Sequence, residues 1–349
     1  MTIPSAFKLA SLVCAVLLVG PTGQSQDNAA TSPTQVHVVI TDSAFRIDKE
    51  LPPLTAQDVK LKVSKKSAEV SQLIPAQGQN ATMQLLILID EVLDTQSVGN
   101  NLNDLKDFIK AQPQTTLIAI GYMSNAGVNI VQNFTPDHEL AAKAVRLPRG
   151  SLSTMDSPYL SLMSVIKGWP QLKVRREVLM VTDGIDRARG ERPEMGMSTT
   201  SMGRGPRGNA FATAAPTLGY QSMPSVSQDA MQTSKMAQRY NVIVFTLFSP
   251  GVGRAGRSSW DLEIGLSNMT LVAEESGGEC FALSTSALVS FKPYLDRLDK
   301  ELGNQYYLVF PATQSKKPGL QRIDVKTEVP NSELLAPDNV WVGPQKEKD

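Results

Sequence analysis

Histidine and cysteine are nearly absent from this chain, with two of each among 349 residues. Zinc sites need clustered His or Cys ligands, so zinc chemistry has no donors here. A Ser-His-Asp hydrolase would have to recruit His37, on a predicted leader strand, or His138, at a predicted helix start. No Gly-x-Ser-x-Gly elbow exists to present the serine. Charge of one sign is lacking as well, because 34 basic and 34 acidic residues leave a formal net charge of zero. Without a basic surplus to neutralise a phosphate backbone, nucleic acid is not an expected partner. Hydrophobic content of 41% against 19% charged residues fits an ordinary globular protein with a sizeable core.

The opening "MTIPSAFKLASLVCAVLLVGPTGQSQ" reads as a secretory signal peptide over residues 1–26. Lys8 supplies the positive region, Leu9 to Val19 the apolar one, and Gly20 and Pro21 break it. The run is too short to span a bilayer comfortably, although an uncleaved anchor is the alternative. Cys14 lies inside the apolar run behind Ser-Leu-Val, a poor match to a lipid-attachment box. The expected destination is secreted or periplasmic, with no membrane span after cleavage. Cys280 is then the one thiol left and reads as a small buried hydrophobe. With no disulfide to help, the core must hold the fold.

Beyond the leader, the pattern changes along the chain. Residues 35–80 carry short alternating runs, "QVHVVITDS" and those near Val59–Val63 and Ala68–Ile74, and read as a small β-rich N-terminal extension. From Met83 continuous apolar runs alternate with helical spacing. "MQLLILID", "TTLIAIGYM", "REVLMVTDG" and "VIVFTLFSP" have the composition of strands buried on both faces of a parallel sheet. Leu102, Leu105, Phe108 and Ile109 mark a helix between the first two, and "SPYLSLMSVIKGW" and "SQDAMQTSKMAQRYN" are further helices. Helices are also read over "DHELAAKAVRL", "NMTLVAEESGG" and "SFKPYLDRLDKELG", and "NQYYLVFP" and "GLQRIDVKTEV" read as strands. Strand–helix alternation predicts an α/β domain over 83–310, a doubly wound and mostly parallel sheet with helices on both faces, followed by C-terminal strands and a tail over 311–349.

Two segments stand outside this pattern. Residues 187–226 are rich in Gly, Pro, Ser, Thr, Met and Arg without periodicity, and read as a mobile insertion whose arginines could meet an acidic partner. "GVGRAG", Gly251 to Gly256, matches the dinucleotide fingerprint by letters. It follows the wrong strand, Ser249 and Pro250 intervene, and "RSSWDLEIG" opens no convincing helix, so it reads as a loop. Trp260 beside it is either a contact anchor or a lid on the core.

Ligands of doubly wound sheets bind outside the carboxyl ends of the strands, where Asp90, Thr182 and Asp183 fall. An apolar strand ending in Asp90, a helix starting near Ser97 and a distant strand ending "VTDG" together resemble the von Willebrand factor type A (VWA) domain. More narrowly, they are similar to divergent VWA-related bacterial exported proteins. The resemblance implies a metal-ion-dependent adhesion site, in which an Asp-x-Ser-x-Ser loop, a Thr and a further Asp grip a divalent cation and leave one position open to a partner's carboxylate. On that pattern Asp90 and Asp183 match the two acidic ligands, and Ser153 or Thr154 would supply the hydroxyl. Val92 and Asp94 stand where the two serines belong, so one oxygen is lost and one negative charge is gained. Asp90, Asp94, Thr154 and Asp183 are thus the candidate metal set, for Ca²⁺ in preference to Mg²⁺, or for no cation in a vestigial site. Three carboxylates around a divalent ion would also weaken attraction for an acidic partner. The implied function is a non-catalytic, exported protein–protein interaction domain of unknown partner. The alternatives are a metal-dependent hydrolase using Asp90, Asp94 and Asp183, and a structural component of the envelope.

Overall fold

The computed structural model describes residues 34–44, 51–170, 174–188, 226–252, 259–313 and 317–343. Residues 1–26, read above as a signal segment, and nearly all of the 187–226 segment lie outside them, as do residues 253–256 of the "GVGRAG" stretch. Among the described residues no helix is long and apolar enough to cross a membrane.

Among the described residues, fourteen strands and six helices follow in chain order: β1 (Thr34–Ala44), β2 (Val59–Val63), β3 (Lys66–Ala68), β4 (Gln72–Pro75), β5 (Met83–Asp90), α1 (Thr95–Ala111), β6 (Thr116–Ser124), β7 (Gly127–Thr135), α2 (His138–Ala144), α3 (Pro158–Gly168), β8 (Arg175–Thr182), α4 (Gln228–Tyr240), β9 (Val242–Phe248), α5 (Ser259–Ser276), β10 (Cys280–Phe281), α6 (Lys292–Gly303), β11 (Gln305–Ala312), β12 (Gly319–Thr327), β13 (Ser332–Leu335) and β14 (Asn339–Val342).

The central sheet runs β10-β9-β8-β5-β6-β7. All its pairs are parallel except β6 with β7 at one edge. That edge is a hairpin closed by Asn125 and Ala126, both at positive φ, which is the type I′ geometry that suits strand twist. Every residue of β5, β8 and β9 is buried, as their unbroken apolar runs require. The period of two divides them between faces. Leu85, Ile87 and Ile89 pack with Val98, Leu105 and Ile109 of α1, Ala141 of α2, and Leu295 and Leu298 of α6. Leu86 and Leu88 pack with Tyr159 and Leu162 of α3, Ala230 of α4 and Val272 of α5. Three helices therefore cover each face of a doubly wound sheet. The chain enters at β5, moves out to β7, and returns to β8 on the other side, so the topological switch point lies between β5 and β8.

Two antiparallel sheets, β13-β1-β11-β4 and β14-β12-β2-β3, share a second core of Val36, Val38, Ile40, Leu61, Phe310 and Val325, among others. Several sequence expectations shift here. The run read over Ala68–Ile74 divides into β3 and β4, which belong to different sheets. β11, read as part of the α/β core, hydrogen-bonds β1 from Thr34↔Ala312 to Thr41↔Gln305 instead. The helix read from Asn268 begins at Ser259, with Trp260 half-buried in its first turn.

Candidate functional site

β5 and β8 end side by side, and their last residues meet. The Thr182 hydroxyl donates to Asp90 Oδ2 at 2.8 Å, and the Val92 amide donates to Asp90 Oδ1 at 3.3 Å. Asp90 is 2% exposed and Asp183 not at all. Burial raises the Asp90 carboxyl to about 7, the Asp183 charge adds to the rise, and the Thr182 hydroxyl, Arg187 and the Val92 amide offset part of it. The turn after β8 is fixed at Gly184. Its φ is +70°, and a Cβ there would lie 2.3 Å from the Gly265 carbonyl of α5, so no side chain fits. The Tyr159 hydroxyl anchors the same turn by donating to the Gly184 carbonyl at 2.7 Å.

Three loops roof these residues. The Asp94 amide donates to the Pro250 carbonyl at 2.9 Å and the Val252 amide to the Val92 carbonyl at 2.8 Å, which seals one side. On the other, Glu91 is buried and accepts from the Arg149 amide at 2.7 Å and from Arg146 Nη1 at 3.3 Å, while the Arg146 guanidinium lies over the Tyr122 ring. Asp156 holds the next stretch, its Oδ1 accepting from the Asn125 amide at 2.7 Å and its Oδ2 from the Ser153 amide at 2.6 Å.

Asp90 and Asp183 are thus brought together, while Asp94 and Thr154 serve elsewhere. Asp94 is the N-cap of α1, its Oδ1 accepting from the Ser97 amide at 2.8 Å, a use open to it because helix starts leave amides unpaired. Thr154 is exposed on the 151–156 loop. Glu91 and Asp156 organise the roof and were not read as site residues. Their signal, a second carboxylate directly after Asp90 and an acidic residue just before Ser157-Pro158, is too common in loops to single out.

Arg187 is the residue that the sequence least announces, since it stands at the edge of the aperiodic insertion. Its Nη2 reaches Asp183 Oδ2 at 2.6 Å, its Nη1 reaches Asp183 Oδ1 at 3.3 Å and the Ile185 carbonyl at 3.1 Å, and its amide donates to the Asp156 carbonyl at 2.8 Å. The side chain is 13% exposed. Burial pulls its pKa down, but Asp183, with Asp90 and Asp156 nearby, outweighs that and raises it.

The implied divalent ion does not fit these donors. Val92 offers no side-chain oxygen, Asp94 is turned to a helix start, and a guanidinium already holds Asp183. Repulsion between that guanidinium and a divalent ion about 4 Å away would be roughly 8 kcal/mol at an effective dielectric of ~20. Among the described residues, no group of three or more His, Cys, Asp or Glu side chains is placed to hold a metal ion.

No protein-family model matches the chain, and no curated protein does. Comparison with solved structures finds an aerotolerance-related membrane protein from Bacteroides fragilis, at 10% identity and TM-score 0.40 over 63% of this chain and 98% of that one. It also finds the SpRpn10 VWA domain, at 8% identity and TM-score 0.34 over 62% and 94%. The ArnB paralog VWA2 from Sulfolobus acidocaldarius follows at 11% and 0.35 over 88% and 76%. Strand order and helix layers by themselves make the central unit a doubly wound, mostly parallel α/β fold.

Proposed function

We propose that this chain is an exported, non-catalytic interaction protein whose VWA-like core presents its strand-end loops to a protein partner. The observation that carries the reading is the roof over β5 and β8. Loops 91–94, 145–156 and 250–252 close over Asp90 and Asp183, and the second of them leaves Leu147, Leu152 and Met155 exposed beside Arg149. Exposed apolar side chains on a loop at the ligand-binding end of such a sheet suit contact with a protein surface better than with a small substrate. Export rests on the signal-like residues 1–26.

A hydrolase built on Asp90, Asp94 and Asp183 would need the three to converge above a concave pocket. Asp94 faces Ser97 instead, and Asp183 is clamped by Arg187. A cleft of about 550 Å³ lies elsewhere, along Lys62, Arg322, Asp324 and Asp338 of the antiparallel unit.

Cross-linking capture from an envelope extract, comparing the full chain with a Leu152→Asp/Met155→Asp variant of unchanged thermal midpoint, tests the reading. The expected result is a partner captured by wild type and reduced at least about tenfold by the double variant, the loss of ~1.4 kcal/mol or more that exposed apolar contacts can carry. Equal capture by both proteins would sink the proposal.

A further inference from the structure

We propose that Arg187 is the resident cation of the strand-end site, supplying from within the chain the positive charge that a divalent ion supplies in the adhesion site the loops resemble. The role is independent of what docks above it. Four observations converge on it. The guanidinium meets Asp183 through two nitrogens, at 2.6 and 3.3 Å, the forked geometry that arginine offers a carboxylate and lysine cannot. The pair is buried, with Asp183 fully enclosed, so this is an interior charge in need of a partner and not a solvated surface pair. The turn that returns Arg187 onto Asp183 is held at both ends, by the Tyr159 hydroxyl on the Gly184 carbonyl and by the Arg187 amide on the Asp156 carbonyl. Asp90 joins the same unit through Thr182, whose hydroxyl donates to Asp90 and accepts from the Gly184 amide at 3.1 Å.

A built-in cation also accounts for the two departures in the Asp90 loop. With charge provided by Arg187, the oxygens of an Asp-x-Ser-x-Ser loop lose their task. Val92 can then be a fully buried hydrophobe. Asp94 can turn to the α1 amides without leaving an ion short of a ligand. These substitutions and the insertion of Arg187 four residues after Asp183 are, in this account, one exchange.

The test uses the full chain after dialysis against EDTA, with thermal midpoints and calorimetric titration in Mg²⁺, Mn²⁺ and Ca²⁺, for wild type, Arg187→Lys and Arg187→Met. Wild type is expected to show no binding heat and a midpoint moved by less than about 1 °C by millimolar metal or by EDTA, since a ligand of the folded state must raise it. Arg187→Met, which keeps length but not charge, is expected several degrees below wild type, with Arg187→Lys between them. If Arg187→Met does not fold while Arg187→Lys does, the order is the same and the proposal stands. A wild-type midpoint raised by more than about 3 °C with saturating metal would overturn it, because the site would then be a metal site that Arg187 merely guards. A Met variant no less stable than the Lys variant, or a Lys variant that fails as completely as Met, would overturn it too, because shape and not charge would be what matters.

Discussion

Single buried carboxyl groups set much of how this molecule should respond to pH. Glu177, near the amino end of β8, is fully buried, and burial raises its pKa from an ordinary 4.5 to about 7 against the opposing pull of Arg175 and Gln305. Between about pH 4.5 and 7 the folded chain therefore keeps a proton that the unfolded chain has released. Stability falls as pH rises through that window, and the penalty is complete above it. A shift of that size corresponds to roughly 3 kcal/mol. Asp42, raised by burial to about 6, and Glu279, raised to about 8 by burial and the adjoining Glu301, act in the same direction. Urea unfolding at pH 5 and pH 8 should show wild type losing stability at the higher value. Glu177→Gln should lose about 2 kcal/mol less across the same interval, because its side chain cannot ionise. The same loss in both proteins would mean that Glu177 is solvated or neutralised at pH 8.

At the level of elements, the β6–β7 hairpin ties the edge of the central sheet to the site loops. Ala126 adopts φ +58° in its two-residue turn, where Gly is the preferred occupant, and Asn125 donates to Asp156. Ala126→Gly should therefore stabilise the protein by roughly 0.5–1 kcal/mol, with the relief of a left-handed alanine exceeding the added freedom of the unfolded chain. A lower urea midpoint in that variant would show that Ala126 is held there by contacts rather than tolerated. The elements differ in how plainly the sequence displays them, and the reason is physical. β5, β8 and β9 are buried on both faces, so their apolar runs announce both type and place, and Asp90 and Asp183 follow from where those runs stop. β4 is only four residues long and β11 carries a short apolar run, and neither pattern says which neighbour completes the ladder. The first half of α5 is hidden because Gly265 and Asn268 interrupt its apolar spacing. Gly265 is there for close approach to Gly184, and Asn268 accepts from the Ser227 amide at 2.8 Å. Arg187 was illegible for a further reason: an ion pair across one turn leaves no periodic trace, and the residue opens a segment of similar composition.

Across the whole molecule, the question is whether the antiparallel sheets and the central sheet unfold separately, as chains of this size commonly allow. The described residues, from Thr34 onward, form one compact unit, and β1 shows how it is joined. Its Val36, Val38 and Ile40 enter the core of the antiparallel sheets, while Val39 between them enters the core beneath α1 and α6. Polar bonds cross at the same seam. Arg175 donates to Gln305 Oε1 at 2.6 Å and to the Leu302 carbonyl at 2.8 Å, Gln305 donates to Thr41 at 3.2 Å, and Asn339 donates to Gln238 at 2.6 Å. Each bond is worth about 1 kcal/mol net, but opening the seam strips partners from buried Arg175 and bares one face of β1, so a half-open form pays the larger cost of unsatisfied groups. Two tryptophans report on the two sides: Trp169 donates to Gln84 on the central sheet, and Trp341 on β14 lies under the Arg239 guanidinium, 4.4 Å from its ring centre. Variants keeping one of these and replacing the other and Trp260 with Phe should unfold in urea with coincident fluorescence midpoints, and both should coincide with loss of helical circular dichroism. If the Trp341 signal is lost at lower denaturant than the Trp169 signal, β1 is a detachable strap and the central sheet stands alone. The strand-end site would then owe nothing to the chain segments that flank it.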